Sequence, residues 1–349
     1  MRNNRSHKKR IATVIILIIF ILGGIKVFQT LQNIYGPNVT IEEDYDYLHI
    51  PTDSDLNDVT EILAEEKIIE DTSSFLWLAE KKNYHNHVQP GQYRITNQMS
   101  NNELINLLRS GEQTPVSLTI NNIQTKEELA GKISQQIEAD SAKLIKLLND
   151  NEFLEQYGFS DRTVQTMILP NTYEFWWNTS AEDFMNRMHK EYERFWNSDR
   201  QEKAKELNLS PIKVSTLASI VDEETIRNDE MQKIAGVYIN RLKKGMRLQA
   251  DPTVKFASDD ITINRVLKKH LEINSPYNTY KNYGLPPGPI SFPSIAAIES
   301  VLDYEDHNYL YFSAKADFSG YHNFSETHRQ HLINARKYQR ALNKKDIMQ

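Results

Sequence analysis

Between Ile11 and Phe28 lies an apolar stretch whose only strongly polar members are Thr13 and Lys26, and Arg2, Arg5, Lys8, Lys9 and Arg10 precede it. A helix of about 18–20 such residues just spans a hydrocarbon core. The basic side is expected to stay in the cytoplasm, with the acidic segment that starts at Glu42 outside. A cleaved signal peptide would have a shorter apolar region and a small-residue cleavage site. The chain instead reads Ile25-Lys26-Val27-Phe28 after Gly24, which offers no such site. The pattern predicts an uncleaved single-pass anchor in membrane lipid. No later run of that length occurs, so the rest of the 349 residues is expected to be extracytoplasmic.

The charge balance sharpens this division. The formal net charge is −6, but residues 1–26 hold six Lys/Arg and no acid, leaving 35 basic against 47 acidic groups beyond them. A body that acidic is a poor nucleic-acid ligand, because phosphate contacts need clustered Lys/Arg. Cysteine is absent. That removes disulfides, thiolate metal sites, Cys nucleophiles and Cys-linked lipid anchors together.

The expected organisation is a basic tail over 1–10, the membrane helix over 11–28, a polar spacer over 29–46, a small module over 47–115 and a larger domain over 116–349. In the module, Leu48–Ile50 reads as a strand. Asp55 can cap a helix carrying Val59, Ile62 and Leu63 on one face. Thr72 opens a second helix, Gln89–Ile95 is a turn leading into a strand, and Asn102–Leu108 is a helix ended by Gly111. The larger domain reads as mostly helical. Helical spacing covers Lys126–Glu138, Ser141–Leu154 and Ala181–Trp196, with further helices from Ser210 and Asp229. A loop-rich aromatic stretch follows over 246–293, then a strand over Tyr309–Ser313 and a helix over Thr327–Leu342. The fold class is α+β.

One carboxylate is out of place. Ser210-Pro211 is a strong helix start, a capping Ser followed by Pro at the first helical position. With Leu217 at about 0° on a helical wheel, Ile220 falls at about 300°, Val221 at about 40° and Val214 at about 60°. Glu224 falls at about 340°, inside that apolar arc, while Asp222 and Glu223 fall off it. A carboxyl in partly apolar surroundings has a raised pKa, which suits a general acid near neutral pH. The plainer reading is an acid that marks the helix end turning into solvent. The next helix repeats the pattern: Ile234, Val237 and Tyr238 form a face with Arg241 in its middle, an interior charge that Asp251 could pair. Gly245 and Pro252 make Lys243–Thr253 read as a turn and an extended loop rather than a helix.

These segments carry a resemblance. Ala218-Ser219-Ile220-Val221-Asp222-Glu223-Glu224-Thr225, Ile234–Leu242 and Gly245–Thr253 resemble the endolytic murein transglycosylase family. So do Ser275–Tyr280, Gly284–Ile290, His322-Asn323-Phe324, Thr327, His331 and Asn334. The anchor and the module, which is LysM-like in that family, fit the same layout. The resemblance implies that Glu224, second Glu of the family's ASI-(I/V)-E-x-E-T pattern, is the catalytic acid. Asp222 stands where the pattern has its first Glu, and Glu223 where Lys is frequent. The implied substrate is a peptidoglycan glycan strand, cut between N-acetylmuramic acid and N-acetylglucosamine without water to leave 1,6-anhydromuramoyl ends. That makes the chain a lyase of cell-wall assembly or trimming in the bacterial cytoplasmic (inner) membrane, with no cofactor and no metal. Peptidoglycan synthases (penicillin-binding proteins) are the implied protein partners.

Gln249, Asp251, Thr253, Asn278 and Thr279 are candidates for hydrogen bonds to sugar hydroxyls and N-acetyl groups. Tyr277, Tyr280 and Tyr283 can stack on sugar faces. The same residue types also fold Asn- and Pro-rich loops on themselves. Arg241 and His331 are expected to be structural, His331 through hydrogen bonds. His322, His328 and His331 invite a zinc reading, but no matching carboxylate motif accompanies them. Trp176 and Trp177 can line a groove or pack on helices. Ser219 lacks the Gly-flanked elbow of a serine hydrolase. Two other classes stay open: a catalytically silent, membrane-tethered glycan-binding or scaffold protein of the same ancestry, and a metal-dependent peptidase or amidase.

Overall fold

The computed structural model describes residues 3–258 and 266–344. Arg2 of the basic tail, and residues 259–265 and 345–349 of the expected larger domain, lie outside the described residues. The chain is mixed helix and strand, as its residue patterns predict, and it divides into two compact units. One comprises 1–117 with 136–138 and 174–179, the other 118–135, 139–173 and 180–349.

The first unit opens with helix α1, Asn3–Tyr35. The helix is long and apolar enough to cross a membrane, and the apolar side chains from Ile11 to Phe28 are exposed around it. It continues through the start of the expected spacer. Asn33 O accepts a bond from Asn101 Nδ2, and Ile34 packs against the unit's core. Strand β1, Tyr45–Ile50, follows, then helices α2, Leu56–Glu65, and α3, Thr72–Lys81. Strand β2, Gly91–Thr96, and helix α4, Asn101–Ser110, come next. β1 and β2 pair antiparallel, Leu48 opposite Tyr93. Alternation puts Leu48, Ile50, Tyr93 and Ile95 inside, against Val59, Leu63, Phe75 and Leu104. Local chemistry fixes the helix ends: Asp55 forms a capping box with Asp58, and Gly111 takes the left-handed conformation that closes α4.

Strand β3, Val116–Thr119, pairs with strand β4, Thr172–Phe175. In the second unit, helix α5 covers Lys126–Ser134. The expected single helix over Ser141–Leu154 is two helices, α6, Ser141–Asn149, and α7, Asn151–Glu155. Asp150 between them is extended, and its carboxylate accepts from the N–H groups of Glu152 and Phe153. A short acidic side chain bonding its own downstream backbone competes with the helix ladder and here interrupts it.

Helices α8, Ala181–Phe195, α9, Ser198–Glu206, α10, Pro211–Glu224, and α11, Asn228–Lys243, come next. Helix α12, Asp251–Ala257, corrects the loop expected through Thr253. Pro252 sits in its first turn, where a missing N–H costs nothing, so it starts a helix rather than preventing one. Helix α13, Ile295–Leu302, strands β5, Tyr311–Ala314, and β6, His322–Ser325, and helix α14, His328–Lys344, end the unit. The core joins Val214, Leu217, Ile220 and Val221 of α10 to Ile234 and Tyr238 of α11 and to Ile298 and Val301 of α13. Gly236 allows a close crossing on α11, because a Cβ there would stand 2.5 Å from Glu305 O.

Candidate active site

Every residue of α10 from Val214 to Val221 is buried, polar ones included. The helix therefore has no solvent face between its first turn, where Lys213 is exposed, and its last, and its three acids emerge together at that end. Each goes to a different place. Asp222 is half-buried and accepts from Ser294 N at 2.8 Å and from Ser294 Oγ at 3.0 Å. Off the apolar arc, as the wheel placed it, it thus reinforces the cap of α13. Glu223 is exposed and lines a separate polar groove with Asp222, Asn121, Asn171 and Ser291.

Glu224 is the last residue of α10, and Thr225 behind it is extended, which turns the chain toward α11. Tyr238, 2% exposed on α11, donates its hydroxyl hydrogen bond to Glu224 Oε1 at 2.6 Å. Burial pushes the Glu224 carboxyl up to about 7; the Tyr238 bond opposes this, the Asp251 carboxylate adds to it, and Lys255 and Arg241 work against it. Glu224 faces a cleft of about 400 Å³ whose other walls include Arg241, Gln249, Asp251, Tyr280, Phe312 and His322.

Arg241 stands one helical turn beyond Tyr238. Its expected partner, Asp251, is replaced by backbone carbonyls. Nε donates to Leu310 O at 2.6 Å and Nη1 to Leu248 O at 2.7 Å, and the guanidinium lies 5.1 Å from the Tyr311 ring. A residue that projects a fork of donors can hold two chain segments at once. Here Arg241 ties the start of β5 to the loop before α12, and both line the cleft.

The loop candidates divide by burial. Gln249, in a left-handed backbone conformation, Asp251 and Tyr280 all line the cleft. Tyr280 donates to Asp251 Oδ1 at 2.5 Å. Thr253, Asn278 and Thr279 are buried and committed to the loop itself. Thr253 Oγ1 bonds Ala250 O and Thr279 Oγ1, while Asn278 Nδ2 donates to Leu271 O and Ile273 O. The Tyr277 ring packs on Phe256 at 4.6 Å. Tyr283 is exposed beneath the Arg247 guanidinium.

His331 lines the cleft but does not make the expected side-chain hydrogen bond through Nδ1, which has no partner among the described residues. It stacks instead on Tyr311, centroids 5.4 Å apart. Burial, then the neighbouring His328 and Arg241, lower its pKa. Among the described residues no group of three or more His, Asp or Glu could hold a metal ion. Trp177 packs on His49, and Trp176 is half exposed.

Sequence reasoning missed Tyr238 as the partner of Glu224, having counted it only as part of an apolar face. The signal was its place on the same face as Arg241. It also missed β6, which carries His322 into the cleft wall.

The chain is similar to several known proteins. Residues 48–337 match the YceG-like family. A Bacillus subtilis (strain 168) protein named endolytic murein transglycosylase is 32% identical over 316 residues, covering 85% of this chain and 86% of its own. A Streptococcus pneumoniae (serotype 2) protein of the same name is 26% identical over 343 residues, and the match covers 88% of this chain and 62% of that protein's length. A crystal structure of a yceG-like protein from Listeria monocytogenes superposes with a TM-score of 0.55 at 29% identity, covering 84% of this chain and 99% of that one.

Proposed function

The chain belongs to the YceG-like family, and from that premise we propose that it is an endolytic peptidoglycan lytic transglycosylase with Glu224 as its single acid/base. The observation that carries this reading is the Glu224 carboxyl itself, bonded to Tyr238, facing the cleft and held near pH 7 by burial. Such a group keeps its proton long enough to give it away and then serves as a base.

The proton passes from Glu224 to the glycosidic oxygen between N-acetylmuramic acid and N-acetylglucosamine as the C1–O bond breaks. The muramoyl C6 oxygen then bonds to C1, and its proton goes to the Glu224 carboxylate. The proton count closes on one residue and no water is consumed, so the second carboxylate of a hydrolytic glycosidase is not required. Gln249, Asp251 and Tyr280 contact sugar hydroxyls or N-acetyl groups from the cleft wall. Thr253, Asn278 and Thr279 support them from behind, and Tyr277 packs at the edge of the same loop.

Helix α1 anchors the enzyme in the inner membrane with its N-terminus cytoplasmic, and residues 47–115 form a LysM-like module. The enzyme acts on nascent strands beside the peptidoglycan synthases. Substitution Glu224→Gln keeps size and hydrogen bonding but cannot cycle a proton. It should reduce release of muropeptides from glycan strands by roughly 10²–10⁴-fold with the fold retained. Near-normal turnover in that variant would show that another acid does the work, or that the protein is a scaffold whose glycan cleavage comes from a contaminant.

A further inference from the structure

The cleft contains a second carboxylate-linked group. Glu230, 8% exposed in the first turn of α11, receives three hydrogen bonds from one residue. His322 N donates to Oε1 and Oε2 at 3.0 and 3.2 Å, and His322 Nδ1 meets Oε2 at 2.9 Å. His322 is the first residue of β6, opposite Ala314 of β5, and its ring is among the walls of the Glu224 cleft.

The connection between the two strands is also latched next to this pair. Arg227 Nη2 donates to Ser319 O at 2.6 Å, and its guanidinium lies 4.8 Å from the Tyr321 ring. The Tyr321 hydroxyl donates to Asp229 at 3.1 Å. An aromatic chain then links the histidine to the acid. His322 meets Phe312 edge to face at 5.3 Å, and Phe312 meets Tyr238 edge to face at 5.8 Å. Tyr238 holds Glu224.

The carboxylate fixes the chemistry of the ring. An acceptor-only group at Nδ1 requires the proton on that nitrogen, so the neutral ring presents Nε2 as an acceptor. Nε2 has no protein partner among the described residues. The Nδ1 bond to Glu230 fixes the orientation of a ring that belongs to the cleft wall.

We propose that His322, oriented by Glu230, contacts the substrate, its Nε2 accepting a hydrogen bond from a hydroxyl of the sugar that Glu224 acts on. Glu230 is then a positioning residue. The assignment rests on the glycan-cleaving reading of the site.

The test uses the full chain in detergent. His322→Asn keeps an amide donor for Glu230 but has nothing in place of Nε2. It should melt with the wild type, still yield anhydromuramoyl ends, and lose about tenfold in kcat/KM, the scale of one hydrogen bond. Selective ¹⁵N-histidine labelling of the wild type gives a readout independent of turnover. The His322 resonances should show the Nδ1–H tautomer, its Nε2 signal should move when glycan oligomers are added, and Glu230→Gln should mix the tautomers. Wild-type kcat/KM in His322→Asn, or an Nε2 signal that ignores glycan, would overturn the proposal. Absence of anhydromuramoyl ends from the wild type would instead overturn the underlying reading, whatever the histidine does.

Discussion

Tyr238 on α11 donates to Glu224 at the end of α10 across 2.6 Å, so the Glu224 carboxyl is held by a neighbouring helix rather than by its own. That bond favours the ionised carboxylate and opposes the upward push of burial.

Tyr238→Phe removes the opposing influence while keeping the ring. The Glu224 pKa should therefore rise further. The proposed reaction needs the protonated acid, so wild-type kcat/KM should fall as pH increases through about 7. In Tyr238→Phe this basic limb should move to higher pH. A profile of kcat/KM against pH for both proteins checks it, and a limb that moves to lower pH would contradict the assigned role of the bond.

Asp222 supports a different helix end. Asp222→Ala leaves Ser294 N, at the cap of α13, without its acceptor. The expected cost is about 1–3 kcal/mol, seen as a fall of several degrees in Tm, with kcat/KM altered less than about threefold. Calorimetry and steady-state kinetics on the same preparation separate the two effects. An unchanged Tm with collapsed activity would move Asp222 into the catalytic machinery.

Glu224 also links stability to pH. Its folded pKa of about 7 lies above the ordinary 4.5. A group shifted upward contributes its full stability below the unfolded value and loses it as pH rises through the folded one. Glu224→Gln carries no such group. Its Tm should match the wild type near pH 4, exceed it progressively between about 4.5 and 7, and keep the advantage above that range. Parallel Tm–pH curves would show that the carboxyl is not desolvated in the folded protein.

Much of this architecture was legible in the residues, and the exceptions have physical causes. The Ile11–Phe28 run, the Asp55 cap and the Gly111 stop each act through local rules, and the structure places them accordingly. Periodicity also pointed to Glu224, though not for the full reason. α10 is buried on every side over Val214–Val221, so what desolvates Glu224 is the packing of α11 and the β5–β6 hairpin, which no helical wheel contains. The break at Asp150 and the helix start at Pro252 were misread because one depends on a side chain's preference for its own backbone, the other on proline's position in the turn. The Arg241 partners are carbonyls of Leu248 and Leu310, and nothing in residue identity announces a backbone acceptor.

If one carboxyl, Glu224, both gives and takes the proton, no water enters the product. The most direct measurement is the mass of the new glycan ends after the full chain is incubated with uncrosslinked strands. The expected termini are 1,6-anhydromuramoyl, lighter by one water than hydrolysed ends, and Glu224→Gln should yield at least ~100-fold fewer of them. Reducing termini from the wild type would contradict the single-carboxyl mechanism, because they require a hydrolytic water in place of the muramoyl C6 hydroxyl.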